Sequence, residues 1–279
     1  MVSITLTLYA QKGAIWSFKL ALNVAGLYEE SHGIISNHMY DPELNETFNM
    51  GTKDTKWWDG GEPLWVTVRK AGLYSATYFW PGSEAEIRGF RPNIYKPYKE
   101  STSFEERIDT VIKWLTRTSP RTDFAMLYFH EPDHTGHVFG PNSDDVLQKI
   151  SYMDGILGYI SNRLDEKHLW DSVNVIVTSD HGMTEIDVEN KYIDLSSYVD
   201  REAILQVPST GPTANILVAP GMVDEVVRNL SNVEHLEVYK REDIPEHWHY
   251  SNNRRILDVV AVAEEGWTIV KVNNIFHYF

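Results

Sequence analysis

Residues 128–141 read YFHEPDHTGHVFGP, and further along residues 178–183 read TSDHGM. Each motif follows an apolar, strand-like run, residues 123–129 (DFAMLYF) in the first case and 173–178 (VNVIVT) in the second. Each set of Asp and His therefore stands where a buried strand ends and a loop begins, which is where open α/β sheets keep their active sites. The first motif spaces Asp133 and His137 four apart, and the second sets Asp180 beside His181. Gly182 follows, where the backbone turns without a Cβ in the way. Carboxylate oxygen and imidazole nitrogen are ligands that zinc accepts, and two such pairs suit two ions a few ångström apart. A single Asp-x-x-x-His is ordinarily a surface pair or a helix cap. Two pairs at two strand exits carry the metal reading.

Working outward, residues 101–116 form a helix. Ser103 and Glu106 make a capping box, and Ile108, Val111, Ile112 and Leu115 share one face. Residues 143–164 form a second helix, with Val146, Ile150, Met153, Ile156, Leu157 and Ile160 as its apolar stripe. It returns the chain to the 173–178 strand. Upstream, Ile4, Leu6 and Leu8 alternate as a short strand, residues 64–67 read as a strand, and residues 75–80 form another that ends at Pro81-Gly82. Repeated strand, helix, strand order indicates an α/β fold, a mostly parallel sheet flanked by helices. Residues 90–99 hold Pro92 and Pro97 around Tyr95 and Tyr98 and read as an extended surface loop. Exposed tyrosines there can stack on a planar base or simply pack within the loop. From Thr184 the pattern changes to short strands around a helix at residues 223–230, an inserted, smaller α+β lobe over residues 184–270. His32 and His38 read as loop and packing residues, and the His-x-His pair of His247-Trp248-His249 reads as a ligand pair only if it lies on one strand face.

The 279-residue chain is long enough to bury a sizeable core as one domain. Its formal net charge of −15 argues against a general DNA or RNA backbone binder. A small anionic substrate needs locally concentrated positive charge, which bound metal supplies without a Lys/Arg cluster. Cysteine is absent, so neither a disulfide scaffold nor thiol chemistry is available. No run reaches the ~20 apolar residues of a membrane span, and residues 2–10 make a poor signal peptide. Asn45-Glu-Thr and Asn229-Leu-Ser are glycosylation sequons, usable only on the secretory route.

The two motifs, together with LYEESHGIISNHMYDP (residues 27–42), GEPLWVT (61–67), FWPGSEAEI (79–87), SFEERI (103–108), VYKREDIPEHWHY (238–250) and VAEEGW (262–267), resemble the ectonucleotide pyrophosphatase/phosphodiesterase family of the alkaline phosphatase superfamily. The resemblance runs from about residue 27 to the end and is nearest to the nucleotide-type, membrane-anchored members. It implies an alkaline phosphatase-like fold and a single phosphodiesterase-type catalytic domain over residues 1–279. It further implies zinc-dependent hydrolysis of phosphodiester or pyrophosphate bonds in nucleotide-type substrates, at the cell surface or outside the cell.

Carried over residue by residue, Asp133 and His137 are expected to bind one zinc and Asp180 and His181 the other, with Tyr98 facing the base and Tyr128 and Trp80 also on the substrate side. Three departures accompany these matches. The family's metal-binding Asp and its Thr/Ser-Phe-Pro-Asn turn have no counterpart in the atypical residues 1–25. The nucleophile position there falls on Trp16, leaving Ser17 as the nearby hydroxyl, and the His-Gly-Tyr-Asp motif is missing from the other end. The expectation is of an incomplete, truncated chain with two protein ligands per ion. His130 stands where relatives often have Glu. Two other readings stay open. One is a choline phosphodiesterase or lysophospholipid phosphodiesterase, with a cage from Tyr95, Tyr98, Trp80 and Glu100; the other is a catalytically inactive isoform or binding module.

Overall fold

The computed structural model describes residues 2–5 and 26–270, and within them the chain forms two compact units. The first joins residues 2–5 to Lys53–Met183, and the second joins residues 26–52 to residues 184–270. Strands and helices are numbered in chain order.

The first unit is built on a five-stranded sheet of β1 (Val2–Thr5), β4 (Ser75–Tyr78), β5 (Ile94–Lys96), β6 (Phe124–Leu127) and β7 (Val173–Ile176). The strand order is β5-β4-β6-β1-β7, and every neighbouring pair is parallel. Ile4 of β1 lies opposite Ala125 on one side and Val175 on the other. Strands β4 and β6 are buried at all four positions, as expected of parallel strands covered on both faces. One face is covered by α4 (Phe104–Leu115) and α6 (Asp144–Glu166), which pack together. Ser103 caps α4 as the sequence predicts, its Oγ accepting from the Glu106 N–H at 3.2 Å, and Ser143 Oγ likewise caps α6, accepting from the Val146 N–H at 3.3 Å. Ile108, Val111, Ile112 and Leu115 of α4 share one core with Ile156, Ile160 and Leu164 of α6 and with Ala76, Ala125, Leu127 and Val173 of the sheet. Burying each large aliphatic there is worth about 1.5–3 kcal/mol. Asp109 ties the helices together, accepting from Tyr159 Oη at 3.0 Å and Arg163 Nε at 2.7 Å.

Two local expectations are corrected. Residues 64–67 are not a strand but the start of helix α3 (Leu64–Lys70). The adjacent Trp65 and Val66 are both buried, which a strand with one solvated face cannot achieve but a helical turn can. Glu62 reinforces that turn, accepting from Thr67 Oγ1 at 2.9 Å and Lys70 Nζ at 2.5 Å. Within the supposed loop at residues 90–99, Ile94–Lys96 pairs with β4 as strand β5, using the stretch between the two prolines.

The second unit carries an antiparallel sheet in the order β11-β12-β10-β9, with β9 (Ile204–Gln206), β10 (Thr213–Val218), β11 (Leu236–Lys240) and β12 (Val259–Ala263). Helix α7 (Val223–Leu230) buries Val226 and Leu230 in a core with Ile216, Leu236, Val259 and Ala261. Residues 26–52 fold with this unit rather than with the residues that follow them. They contribute α1 (Glu29–His32) and a hairpin of β2 (Met39–Asp41) and β3 (Glu46–Phe48).

Asp41 explains the attachment. Its carboxylate is fully buried and accepts from Arg254 Nε at 2.9 and 3.0 Å, from Arg255 Nε at 2.9 Å, and from the N–H groups of Glu43 and Leu44 at 3.1 and 3.2 Å. Arg255 in turn donates to the Gly33 carbonyl at 2.5 Å. Gly33 has a φ of 74°, and a Cβ there would stand 3.1 Å from Arg255 Nη1, so both backbone and space call for glycine. Glu30 accepts from the N–H groups of Ser251 and Asn252, both at 2.9 Å, and the Tyr28 and His249 rings stack at 3.9 Å. His32 is a packing residue here, as the sequence reading has it, and His249 ends a 3₁₀ turn at residues 246–248 rather than lying on a strand face.

Burial alone would raise the Asp41 carboxyl, but hydrogen bonds from Arg254, Arg255 and Leu44 hold it at about 2, below the ordinary 3.8. Burial, then the Arg255 charge, lowers His32 from 6.5 to about 4, while its Nδ1 accepts from the Ile34 N–H at 3.1 Å. Removing one partner of a buried ion pair strands the other charge, so Asp41→Ala is expected to lower the unfolding free energy by about 3–5 kcal/mol in urea denaturation. Both folded values are depressed, so both groups contribute stability at neutral pH that is lost on acidification. His32 acts as pH falls from 6.5 toward 4, and Asp41 from 3.8 toward 2. His32→Asn, which keeps an acceptor for Ile34, is expected to flatten the upper window and leave the lower one; an unchanged pH profile between 4 and 6.5 would refute the assignment to His32.

Candidate active site

A parallel sheet sends every strand out through the same edge, and the chemistry-bearing residues of the first unit gather at that edge. Beyond β4 come Phe79 and Trp80, beyond β6 comes the run from Tyr128 to Asp133, and beyond β7 come Asp180 and His181. The β4 and β6 exits are stitched side by side, the Tyr128 N–H donating to the Tyr78 carbonyl at 3.1 Å.

Asp133 opens helix α5 (Asp133–Phe139) and His137 lies one turn later, so the four-residue spacing puts both on one face. Glu131 fixes the start of this helix. Its Oε2 accepts from Thr135 N–H and Oγ1 at 3.0 and 2.8 Å, and its Oε1 pairs with Lys149 of α6 at 3.2 Å. Gly136 lets the second motif approach, because a Cβ there would stand 2.3 Å from Met183 Sδ.

The two motifs meet at Asp133. Its Oδ1 is 3.3 Å from His137 Nε2 and 3.7 Å from His181 Nε2, and His181 Nε2 is also 3.5 Å from Asp180 Oδ2. Those separations exceed good hydrogen bonds, and Asp133 Oδ1 is a buried oxygen without one. His181 Nδ1 lies 2.8 Å from the Gly182 carbonyl, which can only accept, so Nδ1 carries the proton and Nε2 faces the carboxylates. Burial raises the Asp133 carboxyl, but the imidazoles of His137, His181 and His134 outweigh it and hold the group below its ordinary range. Asp133, by pairing, pushes His137 upward. Two carboxylates face imidazole nitrogens around an orphaned oxygen, and oxygen and nitrogen donors of this kind are ones that zinc accepts. Among the described residues, no three His, Asp or Glu side chains enclose a metal ion by themselves.

Beside this cluster lies an aromatic slot. Tyr98 is 48 % exposed, its ring edge-on to the buried Phe79 at 5.3 Å and to His130 at 6.4 Å. Tyr128 is half-buried, and its phenol is raised by burial and then by the charges of Asp180 and Asp133, so it stays protonated. Trp80 is only 4 % exposed, so it offers no open ring face to a ligand. Ser17 lies outside the described residues.

The sequence reading passes over two groups. Phe79 holds a φ of 63°, unusual for a bulky residue, and sits beneath Tyr98. Arg107 is fully buried behind both. The signal for Arg107 was its place in the apolar stripe of α4, between Phe104 and Val111.

A sequence profile described as "Type I phosphodiesterase / nucleotide pyrophosphatase" matches residues 23–275. The chain is 41 % identical over 252 residues to human ectonucleotide pyrophosphatase/phosphodiesterase family member 5, aligning 89 % of itself with 52 % of that protein. It is 40 % identical over 254 residues to human bis(5'-adenosyl)-triphosphatase ENPP4, with 88 % and 55 % covered, and 38 % identical over 263 residues to the venom phosphodiesterase of Macrovipera lebetinus, with 90 % and 31 % covered. The chain thus spans only part of the length of the curated relatives it matches, 52 % and 55 % for the two human proteins. Among solved structures, murine ectonucleotide pyrophosphatase/phosphodiesterase 5 superposes with a TM-score of 0.88 at 36 % identity, covering 97 % of this chain and 80 % of that one. An inactive form of the same murine protein in complex with AMP gives the same TM-score and identity, with 96 % and 79 % covered. The fold is alkaline phosphatase-like, and by a profile match that runs through both motifs and both units, the chain belongs to the type I phosphodiesterase/nucleotide pyrophosphatase family.

Proposed function

We propose that the first unit holds the substrate slot and part of the metal site of a zinc-dependent hydrolase that cleaves phosphodiester or pyrophosphate bonds in nucleotide-type substrates. The observation that carries this reading is the Asp133 carboxylate, whose buried Oδ1 has no hydrogen bond and faces the imidazoles of His137 and His181. Asp133 with His137, and Asp180 with His181, would hold the metal, the Gly182 carbonyl fixing the His181 tautomer as outer-shell partners commonly do. Bound zinc supplies the concentrated positive charge that developing negative oxygens of a phosphodiester need. The protonated Tyr128 hydroxyl would donate to such an oxygen, and the exposed ring of Tyr98 would stack on a base.

Relatives support the substrate class, one being named a bis(5'-adenosyl)-triphosphatase and another solved with AMP. A choline-type substrate is less well supported, because the burial of Trp80 removes a wall from the aromatic cage it requires. Ser17 is our candidate for the attacking hydroxyl. Names such as ectonucleotide pyrophosphatase and venom phosphodiesterase support an extracellular or cell-surface setting, and no helix among the described residues is long and apolar enough to cross a membrane.

Zinc content measured on the purified chain after gel filtration is expected to fall in Asp133→Ala and Asp180→Ala. Unchanged zinc in both would remove the metal assignment. Hydrolysis of a chromogenic thymidine-monophosphate ester should require zinc, stop with chelator, and be lost in Ser17→Ala; turnover that survives chelation would point to a different reaction.

A further inference from the structure

Arg107 lies on the apolar face of α4, fully buried, and no carboxylate stands within ion-pairing distance of it among the described residues. A buried charge without a counter-ion is costly, and a hydrocarbon side chain would serve the helix stripe better. The guanidinium is instead spent on backbone oxygens. Nε donates to the Thr102 carbonyl at 3.1 Å, Nη2 to Thr102 at 2.9 Å and to Glu100 at 3.2 Å, and Nη1 to Tyr128 at 3.2 Å. Its flat faces lie between two rings, Cζ being 4.8 Å from the Phe79 centroid and 4.6 Å from that of Phe104.

These contacts connect two parts of the slot by directed hydrogen bonds, where Phe104 of α4 adds only ring contacts with Phe129 and His130 at 4.8 and 5.3 Å. Glu100 and Thr102 belong to the segment that leaves β5 and carries Tyr98, whereas Tyr128 is the first residue beyond β6 and leads to Asp133. Phe79, held at its positive φ, bridges from the guanidinium to the underside of Tyr98. A planar fork with fixed donor directions can set the spacing of two backbone segments, and an ammonium on a flexible stem cannot.

We propose that Arg107 is a positioning residue: it fixes the Tyr98 segment at a set distance from the β6 exit, so that a nucleotide reaches its base platform and its phosphate site together. This rests on the nucleotide reading above. The prediction is that Arg107 selects for ligands with a base rather than for phosphate as such.

The test uses the full chain with zinc, comparing wild type, Arg107→Lys, Arg107→Met and Tyr98→Ala. Affinities for AMP and for ribose 5-phosphate are measured by calorimetry, and exchange of the Tyr98 and Thr102 amides by hydrogen–deuterium exchange. Arg107→Lys is expected to weaken AMP at least tenfold and ribose 5-phosphate less than twofold, approaching the selectivity of Tyr98→Ala, and to speed both amides at least tenfold. Equal loss for both ligands, or wild-type selectivity in a folded Arg107→Lys, overturns the proposal. If wild type itself fails to prefer AMP, the nucleotide reading falls, and the exchange data then judge Arg107 alone: unaltered protection overturns the positioning role. Arg107→Lys decides the matter should Arg107→Met fail to fold.

Discussion

Parallel pairing of β1 with both β6 and β7 is the constraint from which the first unit follows. Because the pairs are parallel, each strand must cross back over a face of the sheet, and the helices that do so become its cover. For the same reason the loops beyond β4, β6 and β7 leave through one edge. Residues far apart in sequence thus meet without any loop having to travel, and side chains on short exits from rigid strands hold their positions well. Burial at that edge then shapes the chemistry. It keeps the Tyr128 phenol protonated, while the imidazoles around Asp133 keep its carboxylate charged.

How much of this could be read in the chain depends on whether the cause was local. The 128–141 and 178–183 motifs were legible because the strand run, the turn glycine and the polar groups adjoin one another, and both long helices announced themselves through a 3.6-residue stripe, the first with a cap as well. The run at residues 64–67 misled because β-branched and aromatic residues there satisfied a strand pattern, while Glu62, outside the window, set the turn with Thr67 and Lys70. Trp80 was expected on the substrate side through the family resemblance, whereas its place at a strand exit reads more often as core, and its burial follows the latter.

The site itself was half visible. Spacing gave Asp133 with His137 and Asp180 with His181, yet the approach of His181 to Asp133 depends on how two exits sit side by side. Arg107 was least visible of all. A charged residue within an apolar stripe is a local inconsistency, and its explanation lies in carbonyl groups of two other segments. Such conflicts between local pattern and global fold tend to fall near functional sites.

The pairing of Asp41 with Arg255 spans 214 positions of chain, and almost the whole of the first unit lies between them. On a ribosome, at roughly 5–20 residues per second, Asp41 waits about 10–40 s for its arginines to emerge. The intervening Lys53–Met183 stretch holds most of its own sheet and has that interval in which to collapse. During it, residues 26–52 carry Asp41 and apolar side chains such as Ile34, Ile35, Met39 and Phe48 that are buried in the finished fold. Biogenesis of this protein therefore includes an early segment with no native place to go, the kind of surface that chaperones hold.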